Sequence, residues 1–106
     1  MITSEDIQSL CDSIAQTFHP EQIILFGSYA NGSPNVDSDV DILVVMDHDG
    51  KNAQQAAKIL TKIKPKFPVD FVVRSPEQLS KRLALNDFFL RDVVVRGRVL
   101  YAASDQ

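Results

Sequence analysis

Apolar residues recur along this chain with two periods, and the switches between them mark its elements. Ile7, Leu10, Cys11, Ile14 and Phe18 stand at i, i+3, i+4, i+7 and i+11, which predicts a helix over residues 3–18 with one apolar stripe. Thr3 with Asp6 is a loose capping pattern at its start, and Pro20 marks its exit. Cys11 lies on the stripe and reads as a small core residue. Ile23 to Phe26 form an unbroken apolar run bounded by Gly27, the pattern of a buried strand. Tyr29 to Asp37 contains Asn31-Gly32-Ser33-Pro34-Asn35 and reads as a loop, with room for one helical turn begun at Ser28.

Val40 to Met46 predicts a second strand, apolar on both faces. Ala53 to Lys64 predicts a helix with Ala56, Ala57, Leu60 and Ile63 on one side and Lys58 and Lys62 on the other. Val69 to Val73 is a third strand. Ser75-Pro76-Glu77-Gln78 then opens a helix that runs to about Leu85. Residues 86–101 carry two patterns. One is a helix Phe88 to Arg96 closed by Gly97, followed by a strand Arg98 to Tyr101. The other is a hairpin pairing Val93–Val95 with Val99–Tyr101 across Arg96-Gly97. The helix is favoured, because Phe88, Asp92 and Val95 can share one flank and Phe89, Val93 and Arg96 another, and Arg-Gly is a poor two-residue hairpin turn. Ala102 to Gln106 reads as a loose tail. The order predicts an α+β fold, a small sheet with helices packed on it and strands two and three joined through a helix.

Composition narrows the class. A length of 106 residues, 44% apolar and 24% charged, fits a single domain spanning 1–106 of an ordinary water-soluble protein. Cys11 alone excludes an internal disulfide framework and suits a reducing cytoplasm. The N-terminus has neither a basic nor an apolar segment of a signal peptide, and the run Ile42 to Met46 is far too short to span a membrane. A net charge of −3 speaks against nonspecific nucleic-acid binding, so none is expected.

The candidate chemistry lies in three aspartates that interrupt apolar strands: Asp39, Asp41 and Asp70. Residues two apart in a strand share a face, so Asp39 and Asp41 would stand about 6–7 Å apart. Carboxylates that close repel unless a cation sits between them. Gly27-Ser28, at the end of the first strand, makes a turn that a phosphate could approach. Taken singly, a Gly-Ser turn or a strand-end aspartate is commonplace; the combination is not, since a buried charge is costly unless paired or metal-bound. Competing motifs fail. Gly27 and Gly32 have P-loop spacing, but Ser33-Pro34 stand where Lys-Ser/Thr is required. Asp37, Asp39 and Asp41 imitate an EF-hand loop, but Ile42 takes its glycine position and His48 its glutamate. His19 and His48 are isolated and read as surface residues.

Gly27-Ser28, ten residues from Tyr29 to Ser38, Asp39-Val40-Asp41, and Asp70 on a later strand together resemble the signature of the minimal nucleotidyltransferases, within the superfamily related to DNA polymerase beta. The ending from Asp87-Phe88-Phe89 to Gly97-Arg98-Val99-Leu100-Tyr101 is similar too, so the resemblance covers nearly the whole chain. It implies a polymerase beta-like fold with a mixed sheet, and catalysis with two Mg2+ ions held by Asp39, Asp41 and Asp70. Gly27 and Ser28 would contact the triphosphate of ATP. It further implies an antitoxin that adds AMP to a hydroxyl of a partner HEPN-domain protein.

The chain departs from the family pattern at Asn31, where Gly-Ser-x-Ala-Arg-Gly would have an arginine. Lys51 and Arg74 are the cations considered as replacements. Two other readings fit the same residues: a binding module that neutralises its partner without catalysis, and a transferase acting on a small molecule such as an antibiotic. Phe88, Phe89, Val93 and Val94 exceed what one helix face needs, so a partner surface or a homo-oligomer contact competes there with plain core packing.

Overall fold

The computed structural model describes residues 2–35 and 37–103. Its elements are α1 (Ser4–Phe18), β1 (Gln22–Phe26), α2 (Ser28–Asn31), β2 (Val40–Val45), α3 (Asn52–Ile63), β3 (Val69–Arg74), α4 (Pro76–Ala84), α5 (Phe88–Arg96) and β4 (Arg98–Ala102). The order agrees with the sequence reading, including the single helical turn after Gly27 and the helix in preference to the late hairpin.

Local chemistry sets the boundaries. The Asp6 N–H donates to Thr3 Oγ1 at 3.0 Å and the Thr3 N–H to Asp6 Oδ2 at 2.9 Å, a complete capping box at the start of α1. Ser75 and Gln78 repeat the device on α4, at 3.1 and 3.0 Å. Asp87 caps α5 by accepting from the Leu90 N–H at 3.0 Å. At Gly97 a Cβ would run into the Val93 carbonyl and a methyl of Ile24. Glycine therefore lets the chain leave α5 and enter β4 within one residue.

The sheet has the order β3-β2-β1-β4. β1 is antiparallel to β2 and to β4, whereas β2 and β3 are parallel. The parallel pair needs a crossover, and α3 supplies it. Each face of the sheet carries its own core. On one, Ile23, Leu25, Val40, Ile42, Val44 and Val73 pack with Ile7, Leu10, Cys11 and Ile14 of α1 and Ile59 of α3. On the other, Ile24, Leu43 and Val45 pack with Leu90 and Val93 of α5, flanked by Phe26, Val72, and Leu79 and Leu83 of α4. Helices therefore cover both sides, which is why β2 is apolar on both.

Two expectations, for α3 and for the tail, are corrected, and the choice left open on α5 is decided. On α3 the buried residues are Gln55 and Ile59, while Ala57 is exposed and Leu60 is 48% exposed. Ile59 and Leu60 are adjacent, about 100° apart around the helix, and only one can face the sheet. On α5 the core seam is Leu90 and Val93, with Phe88 and Val95 on the opposite, solvent pole. The tail begins later than expected: Ala102 belongs to β4 and the Ala103 N–H donates to the Glu21 carbonyl at 2.8 Å. Ser104–Gln106 lie outside the described residues. No helix among the described residues is long and apolar enough to cross a membrane.

Candidate active site

The sheet register brings the predicted residues together. Asp41 and Asp70 are direct neighbours on the parallel pair β2–β3, and Phe26 lies opposite Asp41 on β1. Partners in register point to the same side, so all three face the layer of α4 and α5. Asp39 stands one residue before β2 and is exposed. The turn that delivers it is tied by the Ser38 N–H to the Asn35 carbonyl at 3.1 Å and the Asn35 N–H to Ser38 Oγ at 2.9 Å.

The electrostatics mark Asp41 as the strained member. Its carboxyl is raised above the usual carboxylate range, first by burial and then by the charges of Asp70 and Asp39. Folding has thus placed three like charges at one end of the sheet, a typical sign of a functional site.

Gly27 connects this cluster to the turn. Its backbone has φ 76° and ψ −155°, a region open essentially only to glycine. A Cβ there would overlap a carboxyl oxygen of Asp41 and lie 3.1 Å from its Cγ. The Asp41 carboxylate therefore rests directly on the Gly27 backbone. Beyond it, the Gly27 carbonyl accepts from Ala30 and Asn31 N–H, both at 3.1 Å, closing the turn of α2. Ser28, at its first position, carries an N–H without a partner inside the helix.

Among the described residues, no three His, Cys, Asp or Glu side chains form a group able to hold a metal ion by themselves. Magnesium typically takes one or two carboxylates and fills its shell with water and substrate phosphates. The all-oxygen donor set and the mutual repulsion at Asp41 fit such an ion.

Other candidates fall away from the site. Lys51 caps α3 and Arg74 ends β3; both follow strand ends about 13 Å from Asp41 and Asp70 along the sheet. Neither replaces the arginine missing at Asn31. His19 caps α1, and His48 bonds Asn52 at 2.8 Å, both remote from the aspartates. A roomy hollow of about 920 Å³ between α1 and α3, lined by Phe18, Lys58 and Lys62, contains none of the three aspartates. Sequence reading missed the Phe26–Phe89 pair, whose rings meet edge to face at 5.6 Å beside Asp41. Phe26 could have been noticed as the last residue before the glycine turn; its contact with Phe89 depends on tertiary packing.

Enzymes that move nucleotidyl groups need oxygen ligands for divalent cations next to backbone that a phosphate can approach, and the end of β1 with the starts of β2 and β3 offers both. Residues 7–100 match the profile of the nucleotidyltransferase domain; the chain belongs to that family and is a nucleotidyltransferase. A Methanocaldococcus jannaschii protein, MJ0604, provisionally named a protein adenylyltransferase, is 41% identical over 83 residues, covering 76% of this chain and 78% of that one. Among solved structures, a provisionally named nucleotidyltransferase of Sulfolobus solfataricus superposes with a TM-score of 0.63 at 20% identity, over 92% of this chain and 78% of that one. A toxin–antitoxin complex solved with AMP-PNP gives 0.58 at 22% identity, over 92% and 74%. These two likenesses establish the shared fold.

Proposed function

We propose that this chain is a magnesium-dependent adenylyltransferase that moves AMP from ATP to a hydroxyl of a partner protein, as the antitoxin of a pair whose toxin is of HEPN type. The observation that carries the reading is the contact chain Gly27–Asp41–Asp70, which sets a glycine turn against two neighbouring carboxylates. The relative named a protein adenylyltransferase supports the acceptor class, and the AMP-PNP-bound toxin–antitoxin complex supports the nucleotide and the partner. The whole chain 1–106 acts as one domain, and the reading places it in the cytoplasm.

In the reaction, the acceptor oxygen attacks the α-phosphorus of ATP, a new P–O bond forms, and the bond to pyrophosphate breaks. Two Mg2+ ions, when bound, supply the positive charge that the attacking and leaving oxygens need. Asp39 and Asp41 would hold the ions and Asp70 would complete the set on the acceptor side. Asp70 takes the acceptor's proton. Gly27 lets the triphosphate lie close to the backbone, and Ser28 offers it a hydroxyl and an N–H.

Asn31 favours a second reading, a binding module that neutralises its partner by occlusion, because no cation stands at that position. Labelled ATP and magnesium, with the partner protein present, separate the two. Label should move to the partner and be lost in Asp39→Ala/Asp41→Ala. Neutralisation that survives that double substitution in a folded protein would establish the binding module instead.

A further inference from the structure

We propose that Phe89, backed by Phe26, is the platform on which the nucleobase of the substrate stacks; this rests on the nucleotide reading above and assigns it a base subsite. Phe26 lies across the ladder from Asp41, so its ring shares the carboxylate side of the sheet. Phe89 reaches it from the first turn of α5, ring centroids 5.6 Å apart and planes at 82°. Phe26 is half-buried against the cluster of Ile24, Leu43, Val45, Leu90 and Val93, which holds the pair in place. Phe89 nevertheless stays 47% exposed. An aromatic ring anchored on one edge and open to solvent beside a phosphate-binding turn is what a planar base can cover.

The surroundings agree. Arg82 is engaged with Asp87 at 3.0 Å, and the Arg91 guanidinium donates to Asn86 Oδ1 at 3.2 Å. These two neighbouring cations therefore have local partners. Phe88 is 86% exposed on the solvent pole of α5, turned away from the Leu90–Val93 seam, and cannot serve the same role. Stacking reads the π-face of a base, so a purine, with its larger ring system, gains more than a pyrimidine.

The chain contains no tryptophan, which makes the test direct. In Phe89→Trp the sole indole reports on the subsite. Its fluorescence should change with Mg·ATP and stay constant with Mg·tripolyphosphate, which carries the charge without the base. Phe88→Trp should respond to neither. In Phe89→Ala, calorimetry should show Mg·ATP binding weakened by about 5- to 150-fold, with Mg·tripolyphosphate binding unchanged. Phe89→Leu keeps the packing against Phe26 while removing the aromatic face, and should lose ATP affinity in the same direction. Wild-type ATP affinity in Phe89→Ala and Phe89→Leu overturns the platform. So does an unresponsive indole in a Phe89→Trp protein that calorimetry shows binding ATP, or equal weakening of ATP and tripolyphosphate. If the unaltered chain binds neither ligand, the nucleotide reading itself fails and the platform with it.

Discussion

Replacing Gly27 with alanine should damage stability and site together, and the two parts can be separated. The backbone at Gly27 has φ 76° and ψ −155°, where a residue with a Cβ costs on the order of 1–3 kcal/mol. For a domain this small, each kcal/mol moves the melting temperature by about 4–8 °C. Backbone strain alone then lowers Tm by about 5–20 °C. A second contribution comes from the overlap of the new methyl with the Asp41 carboxyl. Asp41→Ala removes that overlap and leaves the backbone strain. Gly27→Ala should therefore cost less in an Asp41→Ala background than in the wild type, with a coupling of about 0.5–3 kcal/mol, the range seen for residues in contact. Urea melts followed by circular dichroism in metal-free buffer give all four stabilities. Equal cost in both backgrounds would refute the contact, and a Gly27→Ala protein as stable as the wild type would refute the strained turn.

Other expectations test separate parts of the structure. Asp41 has a raised carboxyl pKa, so the folded state holds its proton more tightly than the unfolded one and ionisation destabilises the fold as pH rises past the ordinary carboxylate range. Asp41→Asn should therefore melt higher than the wild type at pH 7 without metal, with the gain vanishing near pH 3 and the Mg·ATP response lost. Burial pushes the Cys11 thiol up to about 12. The native protein should resist thiol reagents at pH 8 and react once unfolded, and stability should fall as pH climbs above about 9, where only the unfolded chain ionises. Ile59→Ala should cost about 2–5 kcal/mol in a urea melt, as a fully buried large-to-small change does. Leu60→Ala should cost far less; the reverse order would restore the helix face expected from sequence.

Much of this was legible before the structure. The two apolar periods located the elements because each element buries a regular face, and Thr3–Asp6 and Ser75–Gln78 announced helix starts through local hydrogen bonds. The aspartates stood out because charge inside apolar strands is costly; in the structure this holds only for the partly buried Asp41, while Asp39, just before β2, and Asp70 are exposed. What sequence left open depends on contacts between distant segments. Ile59 and Leu60 are equally apolar, and only docking of α3 on the sheet selects one. Both phenylalanines at the start of α5 look alike in sequence, yet one meets Phe26 and the other faces water. The register that sets Asp41 beside Asp70 arises from the β2–β3 pairing, which spacing alone does not dictate. Lys51 and Arg74 were plausible partners for phosphate until the strand directions carried them to the far end.

The most direct test follows the phosphorus. With Mg2+ and the partner protein, ATP labelled at the α-phosphate should leave its label on the partner while ATP labelled at the γ-phosphate should not, and Asp41→Ala should abolish the transfer. Label arriving from the γ-phosphate, or α-label transfer undiminished in Asp41→Ala, would contradict an adenylyl-transfer site built on Gly27, Asp41 and Asp70.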